Sequence, residues 1–265
     1  MKTLITGAAG HLGSAILRHA LERIPAERLA VSTRRPEQLG DVGVEVRAGD
    51  FAGDLSRTFE GVDRLLIVSA DGPDEQRTAA QRAAVRAAAE AGVRHLVYTS
   101  VTDADTSPLV LAAVHKATEE AIRESGVPFT FLRNGMYHEN YLHPGPITTA
   151  AGDGRVASAA RDDLALAAAV VLSTPGHEGA VYELTGPRAW SFDELAALRG
   201  TTHTRVTAAE RVAALEGFGL PGFLAELLTD IEVNIGRGVL ADVRPDLEKL
   251  IGRPATTIED AVRAR

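Results

Sequence analysis

The residues best suited to chemistry begin with three spaced glycines, in the run Thr6-Gly7-Ala8-Ala9-Gly10-His11-Leu12-Gly13. An apolar run precedes this turn and apolar residues at helical spacing follow it, which predicts a strand, a tight turn and a helix. Gly7 can form the sharp turn, Gly10 lets a phosphate approach the backbone, and Gly13 lets the helix pack closely. The free N–H groups and positive dipole of a helix N-terminus favour an anion. We therefore predict a dinucleotide pyrophosphate site. The alternative is a structural turn, and a P-loop is excluded because no Gly-Lys-Ser/Thr follows.

Two arginines, Arg34 and Arg35, follow the second predicted strand, where NAD-preferring sites carry an acid for the ribose 2′-hydroxyl. The nearest acids, Glu27 and Glu37, fall before the strand and after the turn. A guanidinium fork suits a 2′-phosphate, so the sequence favours NADP(H) over NAD(H). The alternative is that both arginines are solvated loop residues.

Further cofactor candidates follow the third, fourth and fifth predicted strands. Asp50 is suited to the adenine amino group and Phe51 to the adenine ring, the alternative for Asp50 being a helix cap. Ser69-Ala70-Asp71 should pass the ribose and pyrophosphate, although a plain turn fits these residues equally. Thr99 and Ser100 end the fifth strand beside the expected nicotinamide region, where Ser100 either contacts the cofactor or caps the next turn.

The candidate catalytic residues lie after the sixth predicted strand and on the helix before it. Tyr137 and His138 are expected to line the reaction site, with Asn134 orienting the nicotinamide and His115 or Lys116 adding positive potential. The alternative for each tyrosine or histidine is a packed or capping side chain.

No tyrosine is followed by lysine four residues on, so the Tyr-x-x-x-Lys acid of typical carbonyl reduction is absent. Hydride transfer to a quinone needs less help, because the product is an aromatic anion of modest basicity that water can protonate. Positioning of the ring against the nicotinamide would then supply most of the catalysis.

Composition excludes several other functions. The chain has no cysteine, which excludes disulfides, thiolate catalysis and cysteine-based metal sites. Its net charge of -8 argues against a nucleic-acid partner, and no apolar run approaches the roughly 20 residues of a membrane span. We therefore expect a cytoplasmic protein, either a monomer or a homodimer.

His138 and His143 do not form a zinc pair, because their rings would lie about 140° apart on a helix.

Alternating strand and helix patterns place these candidates in a Rossmann-like α/β fold with a doubly wound parallel sheet. Strands are predicted at 3–5, 29–32, 44–46, 65–68, 95–98, 129–132 and 181–184. Helices are predicted at 14–21, 73–91, 110–125, 162–173, 191–198, 208–216, 223–232 and 257–263. Ser191 and Glu194 are expected to form a capping box, and residues 135–160 a loop.

The expected division is into two parts. Residues 1–134 and 157–185 form the dinucleotide-binding domain. Residues 135–156 and 186–265 form a smaller, mainly helical lobe that covers the cofactor and shapes a substrate cleft.

Several longer motifs accompany the glycine turn: Thr33-Arg34-Arg35, Gly49-Asp50-Phe51, Tyr98-Thr99-Ser100, Thr118-Glu119 and Leu132-Arg133-Asn134-Gly135-Met136-Tyr137-His138-Glu139-Asn140-Tyr141. With these motifs the chain resembles the NmrA-like group of atypical short-chain dehydrogenases over nearly its whole length. The resemblance implies NADPH-dependent reduction of quinones, with the C-terminal lobe closing over the substrate. It implies cofactor contacts at Gly7 to Leu12, Arg34, Ser69 to Asp71, Asn134 to Glu139, and Ser158.

The chain departs from this pattern after Tyr141. The segment from residue 142 to 151 is shorter than the corresponding segment of the group, which includes helix and borders the substrate cleft. A second hypothesis therefore stays open, because NmrA-like proteins include redox sensors that bind the dinucleotide without turnover and signal to a protein partner.

Overall fold

The centre of the molecule is a seven-stranded parallel sheet, in a computed structural model that describes residues 1–265. The strands of the molecule are β1 (Thr3–Ile5), β2 (Leu29–Thr33), β3 (Glu45–Ala48), β4 (Arg64–Ile67), β5 (His95–Val101), β6 (Phe129–Asn134), β7 (Ile147–Thr149), β8 (Arg155–Val156), β9 (Val181–Leu184), β10 (Trp190–Ser191) and β11 (His203–Arg205). The sheet order is β3-β2-β1-β4-β5-β6-β9, and every neighbouring pair in it is parallel. This arrangement confirms the Rossmann-like fold.

Helices cover both faces of this sheet. The ten helices of the whole molecule, including those of the smaller lobe, are α1 (His11–Leu21), α2 (Ser56–Phe59), α3 (Asp74–Glu90), α4 (Ala112–Glu124), α5 (Arg161–Ser173), α6 (Phe192–Arg199), α7 (Ala208–Gly217), α8 (Gly222–Gly236), α9 (Asp246–Ile251) and α10 (Ile258–Arg263). Successive strand residues point to opposite faces. Ile5 accordingly packs with α1 and α5, and Leu4 packs with α3. Because both faces are covered, β1, β2, β4 and β5 are buried throughout.

A third hydrophobic core lies outside the sheet and holds the smaller lobe together. Its largest fully buried side chain is Trp190, which meets Tyr141 and Phe192 edge-on at ring-centroid distances of 5.3 and 5.4 Å. Two small sheets complete the lobe: β7 pairs with β11 in parallel, and β8 pairs with β10 in antiparallel fashion. No helix of the fold is both long and apolar enough to cross a membrane.

One segment after residue 186 packs against the sheet domain instead of the lobe. Helix α9 contacts α5 and β9, and Leu247 is fully buried in the core that α1 and α5 share. The division of the chain into two domains stays a prediction, but this helix ties the C-terminal part firmly to the sheet.

The smaller lobe is where the structure departs from the sequence-based expectations. The predicted loop at 135–160 contains β7 and β8, and β10, β11 and α9 have no counterpart in the predictions. The predicted capping box at Ser191 is half formed: the Ser191 hydroxyl accepts from the Glu194 N–H at 3.2 Å. The Glu194 carboxylate instead pairs with Arg155 and Arg188, at 2.6 and 2.8 Å. Two nearby guanidinium groups outcompete a single backbone N–H for this carboxylate.

Candidate active site

The glycine turn after β1 has the geometry of an anion site. Gly7 adopts φ of +65°, a left-handed conformation that favours glycine. A Cβ on Gly13 would lie 2.3 Å from the Gly7 carbonyl oxygen, so α1 can approach the turn only because residue 13 has no side chain. The N–H groups of His11, Leu12 and Gly13 have no acceptor within the chain. These free donors at the start of an 11-residue helix suit a pyrophosphate.

A cavity of about 670 Å³ runs from this turn along the carboxyl ends of six strands, β1 to β6. Its volume is that of a small-molecule site, and it lies where the strand order reverses between β1 and β4. Most of the site residues predicted from the sequence line this cavity. The five that do not are Ala8, Lys116, His138, Glu139 and Ser158. Ala8 is buried beneath the turn, where its N–H donates to the Ser32 carbonyl at 3.3 Å.

The end of the cavity beside β2 and β3 carries a free cation. Arg34 lines the cavity and is exposed, whereas the exposed Arg35 points elsewhere and is not part of the lining. Phe51 and Asp50 form the neighbouring wall. One carboxylate oxygen of Asp50 also accepts from the Ala52 N–H at 3.1 Å, so this side chain shapes its own turn as well as lining the cavity.

A buried glutamine organises the middle of the cavity wall. Gln81 on α3 accepts at its side-chain oxygen from the Ser69 hydroxyl at 2.9 Å and from the Ala70 N–H at 3.1 Å. The Ser69 N–H in turn donates to the Thr99 hydroxyl at 2.9 Å. Sequence reasoning missed Gln81, and its one signal is an amide group on the face of an alanine-rich helix that otherwise buries apolar residues.

Asn134 and Tyr137 lie at the other end of the cavity. The side-chain oxygen of Asn134 is buried and has no hydrogen-bond partner within the chain. Tyr137 is half-buried, and the guanidinium carbon of Arg161 lies 5.3 Å from its ring centroid. Burial raises the pKa of the Tyr137 hydroxyl, while Asn134 and Arg161 oppose the shift. The phenol therefore stays protonated and available as a hydrogen-bond donor.

An ion network stands behind Ser100 at this end. The Ser100 hydroxyl lines the cavity and donates to the buried Glu119 carboxylate at 2.7 Å. Arg133, just before Asn134, donates to both oxygens of Glu119 and, at 2.9 Å, to Glu183. Glu119 and Glu183 hold the pKa of Arg133 above its usual value despite burial. Burial raises the pKa of Glu183, and its bond to Arg133 opposes that shift.

The prediction that His138 faces the substrate is not met by the structure. His138 is 1% exposed, its Nδ1 lies 2.7 Å from the Ser158 hydroxyl, and its Nε2 lies 3.0 Å from the Thr256 carbonyl oxygen. The indole N–H of Trp190 also donates to Ser158, at 2.9 Å. Glu139 accepts from the Arg161 N–H at 3.1 Å, at the start of α5. His138, Glu139 and Ser158 are therefore engaged in contacts within the protein and do not line the cavity, contrary to the prediction.

The expected source of positive potential is also wrong in detail. Lys116 is exposed and outside the cavity. His115 lines the cavity, but burial and the nearby charge of Arg77 lower its pKa to about 3, so the ring is neutral near pH 7. Arg77 on α3 lines the cavity instead, with a hydrogen bond to the Ser69 hydroxyl at 3.3 Å. No spacing rule in the sequence singled out Arg77.

The short segment from residue 142 to 151 forms no part of the cavity wall. Its apolar residues Leu142, Ile147 and Ala151 pack in the core of the lobe. Ile231 of α8 is the lobe residue that closes this side of the cavity, together with Asn140.

These features fit a dinucleotide: a glycine cradle that a Cβ would fill, free helix N–H groups, and an unpaired amide oxygen at Asn134. Fold and site together define a Rossmann-type dinucleotide-binding protein with an adjoining small-molecule cavity. Residues 7–175 match a family model described as NAD(P)H-binding. The chain belongs to this NAD(P)H-binding family, and the resemblance to the NmrA-like oxidoreductases is confirmed.

Full-length relatives support this assignment. The chain is 41% identical to quinone oxidoreductase 2 of Escherichia coli strain K12, over 97% of this chain and 96% of the relative. Its fold matches the Escherichia coli NADPH-dependent quinone oxidoreductase complexed with NADPH, with a TM-score of 0.93 and 40% identity over 99% of both chains. It also matches the Citrobacter sp. triphenylmethane reductase complexed with NADP(H), with a TM-score of 0.94 and 36% identity over 100% of this chain and 99% of that one.

Proposed function

We propose that this protein is an NADPH-dependent oxidoreductase that transfers hydride to a quinone-like acceptor. The observation that carries the proposal is a continuous cavity, with the glycine turn and Arg34 toward one end and Asn134 and Tyr137 at the other. The similarity to NADPH-dependent reductases covers both ends of this cavity and extends over the whole chain. It favours turnover over the sensor hypothesis.

The chain's own groups are arranged to bind NADPH, which supplies the hydride. The N–H groups at the start of α1 would hold the pyrophosphate. Arg34 would pair with the 2′-phosphate, because it faces the cavity without an acid partner. The orphaned side-chain oxygen of Asn134 would accept from the nicotinamide carboxamide.

The acceptor end combines apolar walls with a few polar groups. Val101, Leu111, Met136 and Ile231 line it and suit a flat, apolar ring. Tyr137 would donate a hydrogen bond to an acceptor oxygen. Hydride transfer converts the quinone to a hydroquinone anion, and water supplies the proton that completes the hydroquinone.

Arg77 adds the positive potential that the product anion requires. Its guanidinium group lies beside Ser69 in the cavity wall, and the Asp74 carboxylate, 3.5 Å away, neutralises it only in part because that acid is half exposed. A cation already in place stabilises the developing charge without reorganisation.

The test is anaerobic oxidation of NADPH by small benzoquinones and naphthoquinones, followed by the loss of reduced-nicotinamide absorbance and by the hydroquinone formed. NADH and quinone-free reactions serve as controls. We expect quinone-dependent oxidation with a preference for NADPH. If the protein binds NADPH but no quinone of the panel accelerates its oxidation, the proposed activity is wrong. The cytoplasmic location and the monomeric or homodimeric state stay predictions.

A further inference from the structure

A buried tyrosine and a histidine of the cavity wall form a couple that the proposed function does not yet use. The hydroxyl oxygen of Tyr98 on β5 lies 2.9 Å from Nδ1 of His115 on α4. Tyr98 is fully buried between the sheet and α3 and α4, whereas His115 lines the cavity. The couple therefore connects the core to the acceptor end.

The surrounding hydrogen bonds decide which atom of the couple holds the proton. The other hydroxyls near Tyr98 already donate elsewhere: Ser69 to the Gln81 side-chain oxygen at 2.9 Å, and Thr118 to the Val114 carbonyl at 2.8 Å. Neither of these hydroxyls accepts a hydrogen bond from the Tyr98 hydroxyl. Nδ1 of His115 is the one hydrogen-bond partner of that hydroxyl in the chain, so the buried phenol donates its proton there. Burial raises the pKa of Tyr98 to about 12, so the phenol keeps that proton.

A neutral imidazole that accepts at Nδ1 carries its own proton on Nε2. Nε2 of His115 has no hydrogen-bond partner in the chain. It is not fully buried, so it opens to the cavity that His115 lines. Arg77, on the facing helix α3, adds a positive charge that further disfavours a charged ring.

We propose that Tyr98 locks His115 in the Nε2–H tautomer, and that this N–H donates the hydrogen bond to the acceptor oxygen on which negative charge develops. His115 is then a catalytic residue and Tyr98 a positioning residue. The inference rests on the proposed function for the identity of the acceptor. The balance is simple: one hydride from NADPH and one proton from water convert the quinone to hydroquinone, and His115 keeps its proton throughout.

The physical advantage of the lock is a donor that is oriented before the reaction begins. A free neutral imidazole would divide between two tautomers, and the Nδ1–H form would present a lone pair to the developing anion. Fixed donors aimed at developing charge lower the barrier because they need no reorganisation.

The first test is spectroscopic and needs no turnover. In protein labelled with ¹⁵N-histidine, the His115 signals are assigned by their loss in His115→Gln. We expect wild-type protein to show a neutral ring protonated at Nε2, and Tyr98→Phe to show a tautomer mixture. A wild-type ring protonated at Nδ1 would overturn the inference, whatever the activity.

The second test is kinetic. Tyr98→Phe should lower kcat for quinone reduction by about tenfold, with the NADPH dissociation constant unchanged. Without the Tyr98 hydroxyl, His115 would divide between two tautomers, and only one of them presents the Nε2–H donor to the acceptor. His115→Leu should lower kcat further, by about 100-fold. Tyr141→Phe is the matched control, since it removes a tyrosine hydroxyl outside the cavity that has no hydrogen bond in the chain. Circular dichroism and NADPH binding identify variants that fail to fold.

The outcomes of these tests separate the proposed tautomer lock from the proposed reduction of quinones. Wild-type activity in a folded Tyr98→Phe with normal NADPH binding would overturn the role of Tyr98. A wild-type protein that shows the Nε2–H tautomer but reduces no quinone would instead overturn the proposed function and leave the tautomer lock in place.

Discussion

Arg133 holds Glu119 with two hydrogen bonds, from Nε at 2.9 Å and from Nη2 at 2.8 Å, one to each carboxylate oxygen. Both side chains are almost fully buried. Since Arg133 precedes Asn134 on β6 and Glu119 lies on α4, the pair joins the strand that ends at the cavity to the helix that carries His115. A bidentate pair fixes both position and orientation.

We expect Arg133→Met to lower the free energy of unfolding by about 3 kcal/mol, because the half-buried Glu183 would lose its cation and the buried Glu119 would keep only Arg123. Urea denaturation followed by circular dichroism measures the change. Lys249→Met is the matched control, as it removes an exposed cation 3.8 Å from Asp246 and should cost far less. Equal losses in the two variants would contradict the buried-pair interpretation.

Arg34→Glu should weaken NADPH binding by about 10- to 100-fold and change NADH binding much less, since only NADPH carries the 2′-phosphate. Fluorescence titration of both cofactors gives the comparison. Arg35→Glu makes the same charge change outside the cavity and should leave the NADPH preference intact. The role of Arg34 is wrong if both cofactors weaken equally.

Gly13→Ala should abolish tight NADPH binding, because the new Cβ would lie 2.3 Å from the Gly7 carbonyl oxygen and force α1 away from the turn. Gly217→Ala serves as the control. Its Cβ meets nothing within 4 Å, and alanine is more favourable than glycine in a helix by about 1 kcal/mol. Thermal unfolding with and without NADPH reports both effects. A cofactor-induced stabilisation of wild-type size in Gly13→Ala would refute the close approach.

Arg77→Gln should lower kcat/KM for quinones by about tenfold through loss of the positive potential at the cavity wall. Lys116→Gln removes a cation of the neighbouring exposed surface and should have no comparable effect. Steady-state kinetics at saturating NADPH separates the two. The opposite order of effects would restore Lys116 as the source of the potential.

Acid should destabilise the protein through two buried histidines. Burial lowers the pKa of His115 to about 3 and that of His95 to about 4. As pH falls below the ordinary value of 6.5, the unfolded chain binds protons that the folded protein does not. Each neutral histidine therefore makes its full contribution to stability above pH 6.5. That contribution is lost progressively as the pH falls toward the pKa of the folded protein, by up to about 1.4 kcal/mol per pH unit for each histidine.

Urea denaturation of His95→Gln and His115→Gln from about pH 7 to about pH 5 measures this linkage. Each variant should show a shallower fall in the free energy of unfolding than wild type. The exposed His143→Gln should retain the wild-type dependence. If the free energy of unfolding falls with pH at the same slope in all four proteins, the acid sensitivity does not come from His95 and His115.

Much of the sheet domain could be predicted from the sequence because its signals are local. The apolar run at residues 3–5, the glycine turn and the helical spacing after it lie within one short stretch, so the pattern of each can be recognised without knowing its distant partners. The same holds for Arg34, whose position follows from the end of β2. Helix α3 was equally clear, with Pro73 before its start and Gly92 after its end.

The smaller lobe could not be predicted equally well. Strands β8 and β10 have two residues each and exist because Val156 and Trp190, far apart in the chain, are paired. Glu194 was expected to bond to the Ser191 backbone, but the fold brings Arg155 and Arg188 within reach of its carboxylate. The contacts of Val156 with Trp190 and of Arg155 with Glu194 join residues more than 30 positions apart, which no local pattern records.

The sequence by itself determined the fold class, the glycine turn and the place of an arginine at the end of β2, from which NADP(H) was predicted, because backbone conformation at glycine and charge at a strand end are local properties. Tertiary structure alone decided which polar side chains face the cavity. His138 and His115 look alike as lone histidines, yet Ser158 and Thr256 engage both nitrogens of one, while Tyr98 engages a single nitrogen of the other. Whether a titratable group is committed or available depends on the partners that folding brings to it.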